Sequence, residues 1–143
     1  MSKYEVVEKF VSINGEGTKA GQLAVFIRFK GCNLNCKYCD TKWANEQETP
    51  SQPMTEKEIL DYVLSTGVKN VTLTGGEPLL REGIENVITV LAENNLNIEI
   101  ETNGSVYLDK IRKLHKENVT FTMDYKLSCS GMEAAMNLDN FDI

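Results

Sequence analysis

The sequence contains no apolar run near the roughly 20 residues a helix needs to cross a bilayer. Its opening residues, Met1-Ser2-Lys3-Tyr4-Glu5, lack the apolar stretch of a secretion signal, so a cytoplasmic protein is expected. It also lacks a positive excess: 15 Lys and Arg stand against 21 Asp and Glu, a formal charge of −6, and that field opposes a phosphate backbone. Neither nucleic acid nor membrane is expected as a partner, and a small-molecule substrate is favoured. No low-complexity tract, internal repeat or charge block divides the chain, and the polar, Pro-containing stretch 45–53 reads as an exposed loop. One domain over residues 1–143 is expected, and a hydrophobic content of 41% suffices for its core.

Apolar alternation predicts strands over 5–12, 23–29, 70–74, 97–101 and 120–126. Helices fall between the later ones. The first opens on Thr55-Glu56-Lys57-Glu58, a capping-box pattern, with Ile59, Leu60, Val63 and Leu64 on one face. The second carries Ile84, Val87, Ile88 and Leu91 at helical spacing, and a third covers 107–116 with Leu108, Ile111 and Leu114 inward. Alternating strands and helices imply a parallel α/β sheet. Each strand is apolar on one side only: Val71 and Leu73 oppose Thr72 and Thr74; Ile98 and Ile100 oppose Glu99 and Glu101; Phe121, Met123 and Tyr125 oppose Thr120, Thr122, Asp124 and Lys126. A sheet covered by helices on both faces would give continuously apolar strands, so the expected fold is a partial parallel β/α barrel with a polar interior. An open sheet with one solvated face is the alternative.

Three of the four Cys crowd into Cys32-Asn33-Leu34-Asn35-Cys36-Lys37-Tyr38-Cys39, and Cys129 stands apart. In a reducing compartment such a cluster points to metal rather than disulfides. Gly31, Asn33 and Asn35 are residue types that accept the turn dihedrals a wrapping loop needs. Iron-sulfur cubanes usually take four Cys, so a three-Cys loop leaves one iron open. A structural zinc site completed by Cys129 or His115 is the competing explanation. Cys36 and Cys39 as a lone redox pair would leave Cys32 unexplained.

The C-x3-C-x2-C spacing, with Tyr38 before the last Cys, resembles the signature of the radical S-adenosylmethionine (SAM) superfamily. Thr74-Gly75-Gly76-Glu77-Pro78, at the C-terminal end of a predicted strand, is similar to the superfamily's GGEP element; an ordinary strand-to-helix turn would also explain it. The resemblance implies a 4Fe-4S cluster on Cys32, Cys36 and Cys39. SAM would chelate the open iron, and reduction would release methionine and a 5′-deoxyadenosyl radical.

Within the superfamily, Ser12-Ile13-Asn14-Gly15-Glu16-Gly17, Phe26-Ile27-Arg28-Phe29-Lys30-Gly31-Cys32, Cys39-Asp40-Thr41 and Glu101-Thr102-Asn103-Gly104 resemble the 7-carboxy-7-deazaguanine synthase family. That resemblance implies ring contraction of 6-carboxy-5,6,7,8-tetrahydropterin to 7-carboxy-7-deazaguanine, with loss of ammonia, in queuosine biosynthesis. The activity is that of a carbon-nitrogen lyase. It implies Mg2+ on Thr41; SAM near Tyr38, Cys39, Asp40, Gly76, Ser128, Cys129 and Ser130; and pterin near Ile13, Asn14, Gly15, Glu16, Arg28 and Thr74. The chain departs from the commoner family pattern in lacking a Pro near Cys129. A homodimer and an electron donor such as a flavodoxin are also implied. Arg28 carries independent weight: a cation on an otherwise apolar strand requires an anionic partner, either the substrate carboxylate or Glu99 or Glu101. Asp124 and Lys126 point inward by alternation, to pair with each other or to meet a ligand.

About four βα-type strands are fewer than the family's partial barrel needs, so the chain looks truncated at its C-terminus. Two other functions remain open: an activating enzyme for glycyl-radical proteins, which should lack the 12–17 and 39–41 elements, and a noncatalytic zinc-binding module.

Overall fold

A computed structural model describes residues 2–114 and 117–142. Strands β1 (Tyr4–Ile13), β2 (Leu23–Phe29), β3 (Gln52–Met54), β4 (Asn70–Gly75), β5 (Asn97–Thr102) and β6 (Val119–Met123) form one sheet in the order β3-β1-β2-β4-β5-β6. Strands β2, β4, β5 and β6 run parallel, as the alternating pattern requires. The sheet is mixed rather than wholly parallel, because β1 pairs antiparallel with both β2 and β3. The connection after β1 is only nine residues, enough for a hairpin-like return and too short for a crossover helix. β3 overlaps the end of the stretch expected to be loop; its pairing with Tyr4, Glu5 and Val6 is a tertiary contact that Gln52 and Pro53 do not announce.

Helices α1 (Glu56–Thr66) and α2 (Ile84–Glu93) cover the apolar face, where Val25, Ile27, Phe29, Val71, Leu73, Ile98 and Ile100 pack against Ile59, Val63, Val87, Ile88 and Leu91. α1 begins at the predicted capping box: Thr55 Oγ1 accepts from Glu58 N at 3.3 Å, and Glu58 Oε2 accepts from Thr55 N at 2.7 Å. It ends at left-handed Gly67. Leu64, expected inward, is 45% exposed, because the buried stripe of this short helix is only as wide as its contact with α2 and the sheet. The third helix, α3 (Asp109–Arg112), is one turn; Leu108 and Ile111 are buried, while His115 and Lys116 lie outside the described residues. The last strand stops at Met123, three residues short of the expected end, and Asp124 N makes a closing bond to Thr102 O of β5 at 2.9 Å.

The polar face is covered, not bathed in solvent. Thr72, Thr74 and Glu99 are all buried, which favours the partial-barrel expectation over the solvated open sheet. Its cover includes the turn after β1: Asn14 Nδ2 donates to Glu99, and Thr122 Oγ1 donates to the same carboxylate. Gly17 sits over that group in the left-handed region at φ +65°, where a Cβ would overlap Glu99 and Thr122. The sheet stays open as an incomplete barrel, with β3 at one edge and β6 at the other.

Candidate functional site

At the C-terminal ends of β2, β4 and β5 the polar face opens into a cavity of about 400 Å³, the end at which parallel barrels place their chemistry. Cys32, Cys36 and Cys39 all line it, together with Tyr38, Asp40 and Thr41 from the same loop. Gly31, at φ +89°, turns the chain out of β2. Asn33 and Asn35 do not use the left-handed region, contrary to expectation. Asn33 instead donates through Nδ2 to Ser105 Oγ at 2.9 Å, pinning the loop from the side. Further ties run from Lys37 N to Ser130 O at 3.0 Å and from Cys39 N to Cys36 O at 3.2 Å. Cys36 is buried, Cys32 and Cys39 are half-buried, and Cys129 is exposed. Burial holds the Cys36 thiol above its usual value, a rise that the neighbouring Lys126 ammonium offsets only in part.

The Thr74-Gly75-Gly76-Glu77-Pro78 segment meets the loop from below. Gly76 N donates to Phe29 O at 3.2 Å and Glu77 N to Gly31 O at 3.0 Å. A Cβ on Gly76 would stand 2.2 Å from Gly31 O and 2.3 Å from Asn45 Oδ1. Glycine is required here for approach. Glu77 points away from the cavity: fully buried, it accepts from Leu79 N at 3.0 Å, Thr102 Oγ1 at 3.0 Å and Asn103 N at 2.7 Å. Burial raises its pKa against the pull of those donors. This structural role was not legible from the motif alone.

Arg28 lines the cavity, but its protein partner is Glu8, with Nε to Oε2 at 3.0 Å. Neither Glu99 nor Glu101 takes that place. The antiparallel register sets Glu8 opposite Arg28, whereas Glu99 is occupied by Asn14 and Thr122. Glu101 lines the cavity with Glu16 and Thr74. Its pKa is raised by burial first, then by the Glu16 and Glu99 charges, while Thr74 and Arg28 oppose the rise. Asp124 and Lys126 pair with each other at 2.6 Å on the opposite wall. Burial would lower the Lys126 pKa, but the bond and charge of Asp124 outweigh it and hold it up.

Of the residues singled out in the sequence, Glu16, Arg28, Thr74 and Gly76 thus join the loop residues around one cavity. Asn14 is buried beneath it, on Glu99 and Thr72. Ile13, which is 64% exposed, and Gly15 do not line it, nor do Ser128, Cys129 and Ser130. The 128–130 turn instead braces the Cys loop from behind through Ser130 O, and Ser130 is buried. Asn45 is a cavity residue that sequence reasoning did not single out; Asn103 entered only as part of the Glu101-Thr102-Asn103-Gly104 motif, and Glu101 as a possible partner of Arg28.

The donor set suits a multi-iron cluster. Among the described residues no three Cys, His, Asp or Glu side chains converge closely enough to hold a single ion. A tetrahedral zinc would draw its sulfurs to ~3.8 Å from one another, given its Zn–S bond length. Three thiols lining one cavity supply the ligand type that holds iron-sulfur clusters, one fewer than the usual four. Cys129 stands outside the cavity lining, and His115, the other zinc ligand considered, lies outside the described residues.

A partial β/α barrel with three such thiols facing its glycine-rich strand end defines a radical SAM protein. The radical SAM superfamily model matches residues 26–126, and the chain belongs to that superfamily. Within it, the chain is similar to proteins named 7-carboxy-7-deazaguanine synthase. It is 63% identical over 139 residues to the one from Clostridium acetobutylicum, covering 96% of this chain and 62% of the relative. It is 33% identical over 138 residues to the one from Methanospirillum hungatei, covering 96% and 56%. The crystal structure of QueE from Escherichia coli superposes with a TM-score of 0.73 at 26% identity, over 87% of this chain and 61% of that one. The chain therefore spans about three-fifths of the length of these relatives. Among the described residues no helix is long and apolar enough to cross a membrane.

Proposed function

We propose that the chain performs the radical SAM ring contraction of 6-carboxy-5,6,7,8-tetrahydropterin to 7-carboxy-7-deazaguanine, releasing ammonia as a carbon-nitrogen lyase. The observation that carries this is the convergence of the three loop thiols, Gly76 and Arg28 on one cavity. Cys32, Cys36 and Cys39 would hold a 4Fe-4S cluster, which with bound SAM supplies a hydrogen-abstracting radical on one-electron reduction. Gly76 lets the β4 strand end approach the loop, so that its backbone, with Tyr38, Cys39 and Asp40, lines the SAM side.

Arg28 is held by Glu8 through Nε alone, and in this proposal its guanidinium also grips the substrate carboxylate. Thr74 and Glu16 flank the pterin. Asn14 acts from beneath by fixing Glu99. Thr41, whose Oγ1 lies 3.7 Å from Cys39 Sγ, would give one oxygen ligand to Mg2+, the remainder coming from substrate and water. No acid or base has to start the reaction, so the protein contributes placement and exclusion of water. A flavodoxin-type reductant, a homodimeric assembly and a cytoplasmic location complete the proposal.

The test is mass spectrometry of anaerobic reactions with 6-carboxytetrahydropterin, SAM and dithionite. The expected result is 7-carboxy-7-deazaguanine in an amount that scales with protein. Formation of 5′-deoxyadenosine without that product would defeat the substrate assignment.

A further inference from the structure

Asn103 occupies an unusual position, at the junction of the Cys loop, the glycine-rich segment and the end of β5. Its side chain is 7% exposed, and every polar atom of it is committed. Oδ1 accepts from Ser105 N at 2.9 Å and from Ser105 Oγ at 2.6 Å. Nδ2 lies 3.1 Å from Asn33 Oδ1 and 3.5 Å from Cys32 Sγ. The amide cannot be turned over, because its oxygen is needed by the Ser105 backbone N–H, which only donates. The nitrogen therefore faces the sulfur. Its backbone is fixed as well, through Asn103 N on the buried Glu77 carboxylate.

We infer that Asn103 is a positioning residue that donates an N–H···S hydrogen bond to the Cys32 thiolate and thereby raises the reduction potential of the cluster. The inference rests on the proposed cluster being held by Cys32. A donor on a ligand sulfur stabilises the form with more negative charge, which is the reduced one, and such bonds are among the determinants of cluster potential. Asn33 orients that nitrogen by accepting its other N–H, and Glu77 keeps the loop from withdrawing.

The experiment is potentiometric titration of the reconstituted wild type, Asn103→Ala and Asn103→Asp, followed by electron paramagnetic resonance, with iron content measured in parallel. The alanine variant is expected to retain iron and to reduce with an equilibrium constant three- to tenfold lower, a midpoint ~30–60 mV more negative at ~59 mV per tenfold. The aspartate variant keeps the Ser105 acceptor while turning an anionic oxygen toward sulfur, and should shift further in the same direction. Full iron with an unchanged midpoint in the alanine variant would overturn the inference while leaving the cluster intact. A wild type that forms no iron-sulfur cluster would instead overturn the proposed function. Should the alanine variant fail to hold iron, wild type carrying 15N in its asparagine side chains provides a second test. A 15N coupling to the reduced cluster in pulsed resonance is expected, and its absence overturns the inference.

Discussion

The backbone N–H of Asn103 donates to Oε2 of Glu77 at 2.7 Å, across two loops that are 26 residues apart in sequence. Glu77 accepts two more bonds on Oε1, from Leu79 N and Thr102 Oγ1. One buried carboxylate thus joins the glycine-rich segment to the loop that touches Cys32. Glutamine has a single oxygen, so in either orientation its NH2 would meet an N–H. Glu77→Gln is expected to lower the unfolding free energy by ~1–3 kcal/mol, the cost of leaving buried donors unmatched. Urea denaturation with an unchanged slope would register it.

Gly76→Ala places a methyl 2.2 Å from a backbone oxygen, which cannot rotate out of the way. The strand end must move off the Cys loop. A destabilisation of ~1–3 kcal/mol, as for an overpacked core, is expected, together with loss of SAM affinity. Differential scanning calorimetry and equilibrium binding of SAM to the reconstituted protein measure the two effects separately.

Glu101 gives a pH signature. Its folded-state pKa lies above the ordinary 4.5, so the folded chain keeps this proton longer than the unfolded chain does. The contribution to stability is complete below pH 4.5 and is lost as pH rises through the elevated folded value. Glu101→Gln does not titrate. Its unfolding free energy should therefore gain on the wild type as pH is raised from 4.5 upward, in urea titrations at matched pH. Parallel curves would contradict the assignment.

Arg28→Gln removes a charge from the cavity, and the Glu8 it leaves behind is 40% exposed and can be solvated. Thermal stability should change little. The KM for the carboxylated pterin should rise ~10–100-fold, the worth of a charge-assisted contact of ~1.5–3 kcal/mol. Steady-state kinetics at saturating SAM would show it, while 5′-deoxyadenosine formed without substrate should not fall.

Local patterns made much of this molecule legible. The α1 capping box, the α2 stripe and the parallel strands are encoded within short windows of sequence, and so is the three-Cys loop. Pairings across the sheet were less accessible. Arg28 announced that it needed an anion, but the choice of Glu8 over Glu99 or Glu101 follows from the antiparallel β1 register, which no residue near Arg28 specifies. β3 has the same origin. Glu77 reads as part of a cofactor motif in sequence, whereas its side chain is turned inward to hold Asn103. Asn33, expected to supply a turn dihedral, supplies hydrogen bonds instead.

Anaerobic reconstitution with iron and sulfide, followed by resonance spectroscopy of the dithionite-reduced protein with and without SAM, tests the central claim most directly. A reduced 4Fe-4S signal that changes on adding SAM, and that is lost in Cys32→Ala, Cys36→Ala and Cys39→Ala, is the predicted result. Protein prepared without oxygen that carries zinc on these thiols, or a cluster indifferent to SAM, would contradict it.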